Sequence, residues 1–284
     1  MRFLIVDVFA ETPLAGNQLA VVFADPAIEA ARMQRIAREF NFSETTFVLR
    51  QEDDGKPWPV RIFTPGQELP FAGHPTLGTA WAIRNELSVG GASLVLDEKV
   101  GEITVRGGGE PGALLWMRQR QPSFGKTLGR RETAELLCLD EDRLHAGYDP
   151  QEVSTGIEFA IVPLKDLAAV REARLDRERF AALASKPVFL FAPETYDEEN
   201  DFNARMFEDG FGISEDPATG SAAGCLAAYL VKHRARGERI TARVEQGYEI
   251  ERRSLLHIGA QQEEHGIAVE VGGRVCPIAR GELL

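Results

Sequence analysis

Short apolar stretches separated by polar breaks run along the whole chain, and most have the period of two expected of half-buried strands. In the first half they fall at Arg2 to Phe9, Leu19 to Phe23, Thr45 to Arg50, Val60 to Phe63, Leu94 to Asp97, Ile103 to Val105 and Leu114 to Arg118. In the second they fall at Phe159 to Pro163, Val188 to Phe191, Ala204 to Phe207, Arg239 to Val244, Leu255 to Ile258 and Ile267 to Val271. Helical periodicity is rarer. Asp25 and Pro26 suit a cap and a first helical position, and Met33, Ile36, Ala37 and Phe40 then share one face, which predicts a surface helix. Short polar helices are predicted over Arg131 to Leu139 and Arg177 to Ala184.

Two further helices lack a polar face. One begins near Pro75 with Leu77, Ala80, Trp81, Ala82 and Ile83, and the other runs from about Ser221 to His233 with Ala222, Ala223, Cys225, Leu226, Ala227, Ala228, Tyr229 and Leu230 on every side. A helix that is apolar all round must be enclosed. Each half thus predicts a curved mixed sheet around a central buried helix, an α/β (α+β) fold made twice. Pro122, Ser123 and Gly125 place the link between halves near Gln119 to Arg130. The expected domains are 1–118 and 119–271, with about 272–284 returning to the first.

Composition narrows the function. The 284 residues fit about two domains at ~150 residues each. With 32 Lys+Arg against 44 Asp+Glu the chain carries −12, and its basic residues form no stripe, so a nucleic-acid partner is excluded. The longest near-apolar run, Ala222 to Val231, falls far short of the ~20 residues that cross a bilayer. Asp7 interrupts the apolar start too early for a signal peptide. Cys138, Cys225 and Cys276 are odd in number and far apart, which points to a reducing cytoplasm rather than a disulfide framework.

Most apparent motifs have ordinary explanations. Gly107-x-Gly109-x-x-Gly112 is followed by the strand-like Leu114-Leu115-Trp116-Met117 instead of a helix, so it reads as a turn and not a dinucleotide loop. His145, His233, His257 and His265 have no ligand spacing, and no metal site is expected. Cys225 reads as a small core residue. Gly220-Ser221-Ala222-Ala223-Gly224 does not form the hydrolase elbow.

Three segments carry more. In Phe63 to Thr76, a Pro- and Gly-rich loop delivers His74 to the start of the first buried helix, where free N–H groups and the dipole attract a carboxylate and keep an imidazole neutral. The plainer reading is that His74 only caps the helix. Gly212 to Ser221 brings Asp216, Thr219, Gly220 and Ser221 to the second start, and two such ends facing one cleft would hold a small acidic molecule. Two ordinary helix starts facing apart is the alternative. Asn41 to Phe47 sets Glu44 between Phe42 and Phe47 at a helix-to-strand junction, where an apolar setting would raise its pKa; a solvated surface carboxylate is the competing reading.

Together Asn41-Phe42-Ser43-Glu44-Thr45-Thr46-Phe47, the run Phe63 to Gly78 and Asp216-Pro217-Ala218-Thr219-Gly220-Ser221-Ala222 resemble the signatures of the phenazine-biosynthesis PhzF-like isomerase family. Asp7-Val8-Phe9, Gly16-Asn17, Gln246-Gly247 and Arg253-Ser254 extend the resemblance over nearly the whole chain. It implies a diaminopimelate-epimerase-like fold with Glu44 as acid–base residue, His74 and Asp216 assisting, Ser221 at the second helix start, and the Gly73 and Gly220 N–H groups near the substrate carboxylate; Thr76 and Thr219 are further expected substrate-binding residues. It also implies a homodimer. Departures are Gln18 where proline is frequent, Gln67 where arginine is common, Glu208-Asp209 before Gly210, and no proline between Arg253 and Ser254. Related epimerases place a cysteine at each helix start, where this chain has His74 and Ser221. The expected activity is therefore a cofactor-independent and metal-independent proton shift on a small carboxylic or amino acid. A racemase or epimerase of a small amino or hydroxy acid, and a non-catalytic binder of an acidic metabolite, are the alternatives.

Overall fold

The computed structural model describes residues 1–50, 52, 55–108, 112–182, 186–208 and 215–284. It divides into two compact units, Met1–Arg118 with Gly272–Leu284, and Gln119–Val271. The predicted Gly107-to-Gly112 turn, Gly212 to Ser214 and the end of the helix predicted to Ala184 fall partly or wholly outside the described residues.

The first unit contains β1 (Arg2–Val8), β2 (Asn17–Phe23), α1 (Ala30–Phe40), β3 (Glu44–Val48), β4 (Trp58–Phe63), β5 (Glu68–Leu69), α2 (Gly73–Glu86), β6 (Ser93–Glu98), β7 (Gly101–Gly107) and β8 (Leu115–Arg118). The closing strand of the chain, Val275–Glu282, pairs antiparallel with β1. From there β1–β2 is antiparallel, β2–β3 parallel, β3–β4 antiparallel, β4–β6 parallel, and β6–β7 and β7–β8 antiparallel, with β5 added to β4. α2 touches β1, β2 and β3 and also β6, β7 and β8, so the sheet curls round it. Gly78 permits the close approach: a Cβ there would meet Leu19 Cδ2 at 2.6 Å and Val8 Cγ2 at 2.8 Å. On the sheet's other face α1 buries Met33 and Ala37 against Val22, Phe47 and Phe63.

The second unit repeats this plan with β9 (Ser123–Thr127), α3 (Arg130–Leu136), β10 (Gln151–Ser154), β11 (Glu158–Pro163), α4 (Leu167–Glu172), α5 (Arg177–Ala182), β12 (Val188–Ala192), β13 (Phe202–Phe207), β14 (Glu215–Asp216), α6 (Gly220–Lys232), β15 (Arg239–Gln246), β16 (Ser254–Glu263) and β17 (Gly266–Gly273). Antiparallel β9–β10 and β10–β11, parallel β11–β12, antiparallel β12–β13, parallel β13–β15 and antiparallel β15–β16 copy the first unit pair for pair, with β14 added to β13 as β5 is to β4. α6 lies against β10, β11, β15 and β16. The fold is a mixed α/β architecture of two similar helix-in-sheet units.

The same side chains lock the strand before each buried helix. Arg61 donates twice to Glu68, Nε to Oε1 and an Nη to Oε2, both at 2.8 Å, across β4–β5. Arg205 does the same to Glu215 across β13–β14, at 2.8 and 2.7 Å. Each guanidinium also covers the phenylalanine two residues on, Phe63 or Phe207.

Several sequence expectations need correction. α1 starts at Ala30 with Glu29 as its cap residue, and Asp25 instead closes a turn by accepting from the Ala27 N–H at 2.8 Å. The presumed linker contains β9, whose Ser123, Gly125, Lys126 and Thr127 are exposed, so no apolar alternation marks it. α4 had no periodic signal in six residues; Asp166 starts it by accepting from the Ala169 N–H at 2.7 Å. Among the described residues no helix is long and apolar enough to cross a membrane.

Candidate active site

Asn41 ends α1 in the left-handed conformation, at φ 53°, and its N–H returns to the Ala37 carbonyl at 3.0 Å. Asparagine tolerates that conformation better than most residues. The reversal puts Glu44 at the first position of β3, where strand alternation turns it to the same face as Thr46. That face meets α2, since the Thr46 and Thr79 hydroxyl oxygens are 2.7 Å apart. Phe47 points the opposite way, into the cluster beneath α1, so it does not provide the apolar neighbour expected for Glu44.

Burial of Glu44 comes instead from α2. Glu44 Oε2 lies 3.3 Å from His74 Nε2, with the two side chains only 16% and 7% exposed. His74 is the second residue of α2; Ala72 is the cap residue, and no side chain caps this start, which removes the reading of His74 as a cap. Burial pulls the imidazolium down to about 3, and a main-chain contact with Gln18 opposes this in part. The ring is therefore neutral at pH 7. With Nε2 facing Glu44, the Gln18 contact falls to Nδ1 and holds the tautomer. Pro75 has no N–H, so the first turn of α2 offers the N–H groups of Gly73 and His74 to a ligand.

In the second unit Asp216, Thr219, Gly220 and Ser221 stand at the start of α6. Thr219 is the cap residue, Gly220 and Ser221 are the first two helical residues, and Ser221 is buried. The Thr219 hydroxyl donates to Asp216 Oδ2. Gln246, at the end of β15, ties this corner together: its Oε1 accepts from Thr219 N–H at 3.0 Å and its Nε2 donates to the Asp216 carbonyl at 2.8 Å. Behind the first turn, Gln119 Nε2 donates to the Gly220 carbonyl at 3.3 Å while Gln119 Oε1 accepts from the Thr155 hydroxyl. Cys225, within the same helix, is no nucleophile, because burial pushes its thiol up to about 12.

Each expected site residue is thus at a helix start or facing one, with a correction for Thr76. Its side chain is wholly buried, and its hydroxyl oxygen lies 2.7 Å from both the Ala72 carbonyl and Glu98 Oε1, so it faces the interior rather than a ligand. Gln246, Gln119 and Glu98 were missed as site residues. Gln246-Gly247 had a usable signal, since Gly247 has φ 77° and a Cβ there would come within 2.7 Å of the Pro217 carbonyl. Glu98 and Gln119 meet their partners across 22 and 101 positions and leave no local pattern. Among the described residues no cluster of three His, Cys, Asp or Glu side chains is placed to hold a metal ion.

The family model described as phenazine biosynthesis-like protein matches residues 6–281. The chain belongs to this phenazine biosynthesis-like family. A relative from Pseudomonas aeruginosa, trans-2,3-dihydro-3-hydroxyanthranilate isomerase, is 36% identical over 99% of this chain and 98% of its own. The solved Bacillus anthracis phenazine biosynthesis protein of the PhzF family superposes with a TM-score of 0.90 at 28% identity, covering 100% of this chain and 99% of that one. A hydroxyproline epimerase from Agrobacterium vitis shares the fold, with a TM-score of 0.60 at 12% identity over 99% and 91% of the two chains. This member of the phenazine biosynthesis-like family is an isomerase.

Proposed function

We propose that this isomerase shifts a proton within a small carboxylic or amino acid, without a cofactor. Glu44 takes a proton from a carbon acidified by a neighbouring carboxylate or unsaturated system. The electron pair of that C–H bond forms a new double bond, the existing double bond moves along, and the proton returns to the carbon left at its far end. Substrate and product are isomers, so no oxidant or co-reactant is needed. Glu44 itself, or Asp216 through His74, makes the return. The N–H groups of Gly73 and Gly220, with Thr219 and Ser221, bind the substrate carboxylate and the negative charge that develops.

The observation that carries this reading is the contact of Glu44 with a neutral, buried imidazole at 3.3 Å. With its Nδ1–H held by Gln18, the neutral ring faces Glu44 with the Nε2 lone pair and can accept a proton from the Glu44 carboxyl and return it, whereas a fixed imidazolium would hold Glu44 permanently as the weaker base. The name of the Pseudomonas relative supplies the first substrate to try, trans-2,3-dihydro-3-hydroxyanthranilate. Incubation in D₂O with NMR detection tests the mechanism: the parent protein incorporates deuterium with double-bond migration, and Glu44→Gln does not. Equal incorporation by both would remove Glu44 from its role. On the same reading the protein is a cytoplasmic homodimer, which sedimentation of the purified chain checks for the assembly.

A further inference from the structure

Glu98 ends β6 with 4% of its surface exposed, beside the first turn of α2. Thr76 Oγ1 lies 2.7 Å from the Ala72 carbonyl oxygen and 2.7 Å from Glu98 Oε1. A hydroxyl has one hydrogen and can donate to only one of them. With Glu98 ionised, one of the two short oxygen contacts would contain no hydrogen and would repel. With a proton on Glu98, the carboxyl donates to Thr76, Thr76 donates to Ala72, and both contacts are bonds. Glu98 Oε2 adds to the argument, being buried with no hydrogen-bond partner among the described residues, a setting far more costly for a carboxylate than for a neutral acid.

The charges around Glu98 do not offset this. Arg61 on β4 is bonded to Glu68 on β5, and Lys99 reaches that same Glu68 at 3.7 Å. Asp97 points to the other face of β6, paired in register with Glu102 of β7, and α2 contributes Thr76 and the neutral His74. Burial accordingly pushes the Glu98 carboxyl up to about 7, opposed only by the Thr76 contact.

We propose that Glu98 is a positioning residue: in its protonated form it clamps the start of α2 through Thr76 and Ala72, and so holds His74 in register with Glu44. This rests on the proposed function for its catalytic consequence, though not for its protonation state. Loss of the proton leaves two acceptors competing for one hydrogen and loosens the turn that carries Gly73 and His74.

The test compares the parent with Glu98→Gln, whose amide donates to Thr76 at every pH. With trans-2,3-dihydro-3-hydroxyanthranilate as probe, kcat/KM of the parent falls about tenfold on its alkaline side, roughly the worth of one hydrogen bond, and Glu98→Gln lacks that limb. Independently of turnover, the Tm of Glu98→Gln minus that of the parent rises by roughly 5 °C or more between about pH 5 and about pH 8, because the parent alone loses a proton-linked stabilisation. If Glu98→Gln does not fold, Thr76→Ser keeps the alkaline limb and Thr76→Val removes it. A Tm difference independent of pH, or identical pH profiles, overturns the proposal. If instead Glu44→Gln turns over the probe as the parent does, the proposed function fails while the Tm difference still reports on Glu98.

Discussion

The starts of α2 and α6 occupy equivalent places in two copies of one fold, yet their chemistry differs. Each follows a two-residue strand held by an Arg–Glu pair, and each begins with glycine, Gly73 or Gly220. Around α2 stand Glu44, His74 and Glu98, all titratable. Around α6 the supporting groups are the amides of Gln246 and Gln119 and the hydroxyls of Thr155 and Thr219, with Asp216 the titratable member of the set. Duplication thus preserved a way to present bare N–H groups while side chains diverged. On the proposed reading one copy moves protons and the other binds charge.

The largest expected contrast is in turnover. Glu44→Gln lowers deuterium incorporation by about 10³-fold, within the range for a general acid–base group. Ser221→Ala lowers it by roughly tenfold, as for one hydrogen bond. Equal losses measured by NMR would break the division of labour. The Arg–Glu pairs give the next contrast, in stability. Arg205 and Glu215 are 6% and 9% exposed, against 31% and 20% for Arg61 and Glu68. Arg205→Leu strands a buried carboxylate and costs about 3–5 kcal/mol by urea unfolding. Arg61→Leu costs about 1 kcal/mol or less, because solvent screens the remaining charge.

A finer comparison concerns the two helix glycines. A Cβ on Gly224 would come within 2.4 Å of Gln119 Oε1, whereas the atoms nearest one on Gly78 are the aliphatic tips of Leu19, Val8 and Val6. Either alanine substitution costs about 1–3 kcal/mol through overpacking. Only at Gly224 does a second change, Gln119→Ala, recover part of the loss, and a double-mutant cycle reads this coupling. The last contrast, at His74, shows only in acid. Its folded pKa is depressed, so its contribution is complete above the unfolded value of 6.5 and is lost as pH falls towards about 3. Relative to His74→Asn, the parent loses about 1.4 kcal/mol for each pH unit between 6.5 and about 3 and nothing further below that, measured by denaturation at several pH values.

Much of this contrast was legible in the sequence because local chemistry fixes it. Asn41 followed by Glu44, Gly73-His74-Pro75 before an apolar helix, and Asp216 to Ser221 before another each encode a turn and the element after it. The two-residue strands β5 and β14 are too short for periodicity to reveal. Comparison of the halves would have found them, since Arg61-Ile62-Phe63 and Glu68-Leu69-Pro70 match Arg205-Met206-Phe207 and Glu215-Asp216-Pro217. β10 escaped notice because only Val153 in it is buried. Glu98 was invisible for a different reason: at the end of an alternating strand a glutamate reads as solvated, and only the folded sheet sets it against Thr76.

His74 and Glu98 depart from ordinary values in opposite senses, down to about 3 and up to about 7. Between the reference values of 4.5 and 6.5 the unfolded chain keeps one proton on the imidazole and none on the carboxylate, while the folded unit does the reverse. Folding in mildly acidic solution therefore relocates a proton without net uptake or release at these two groups, and dissolves a would-be zwitterion before it is sealed inside.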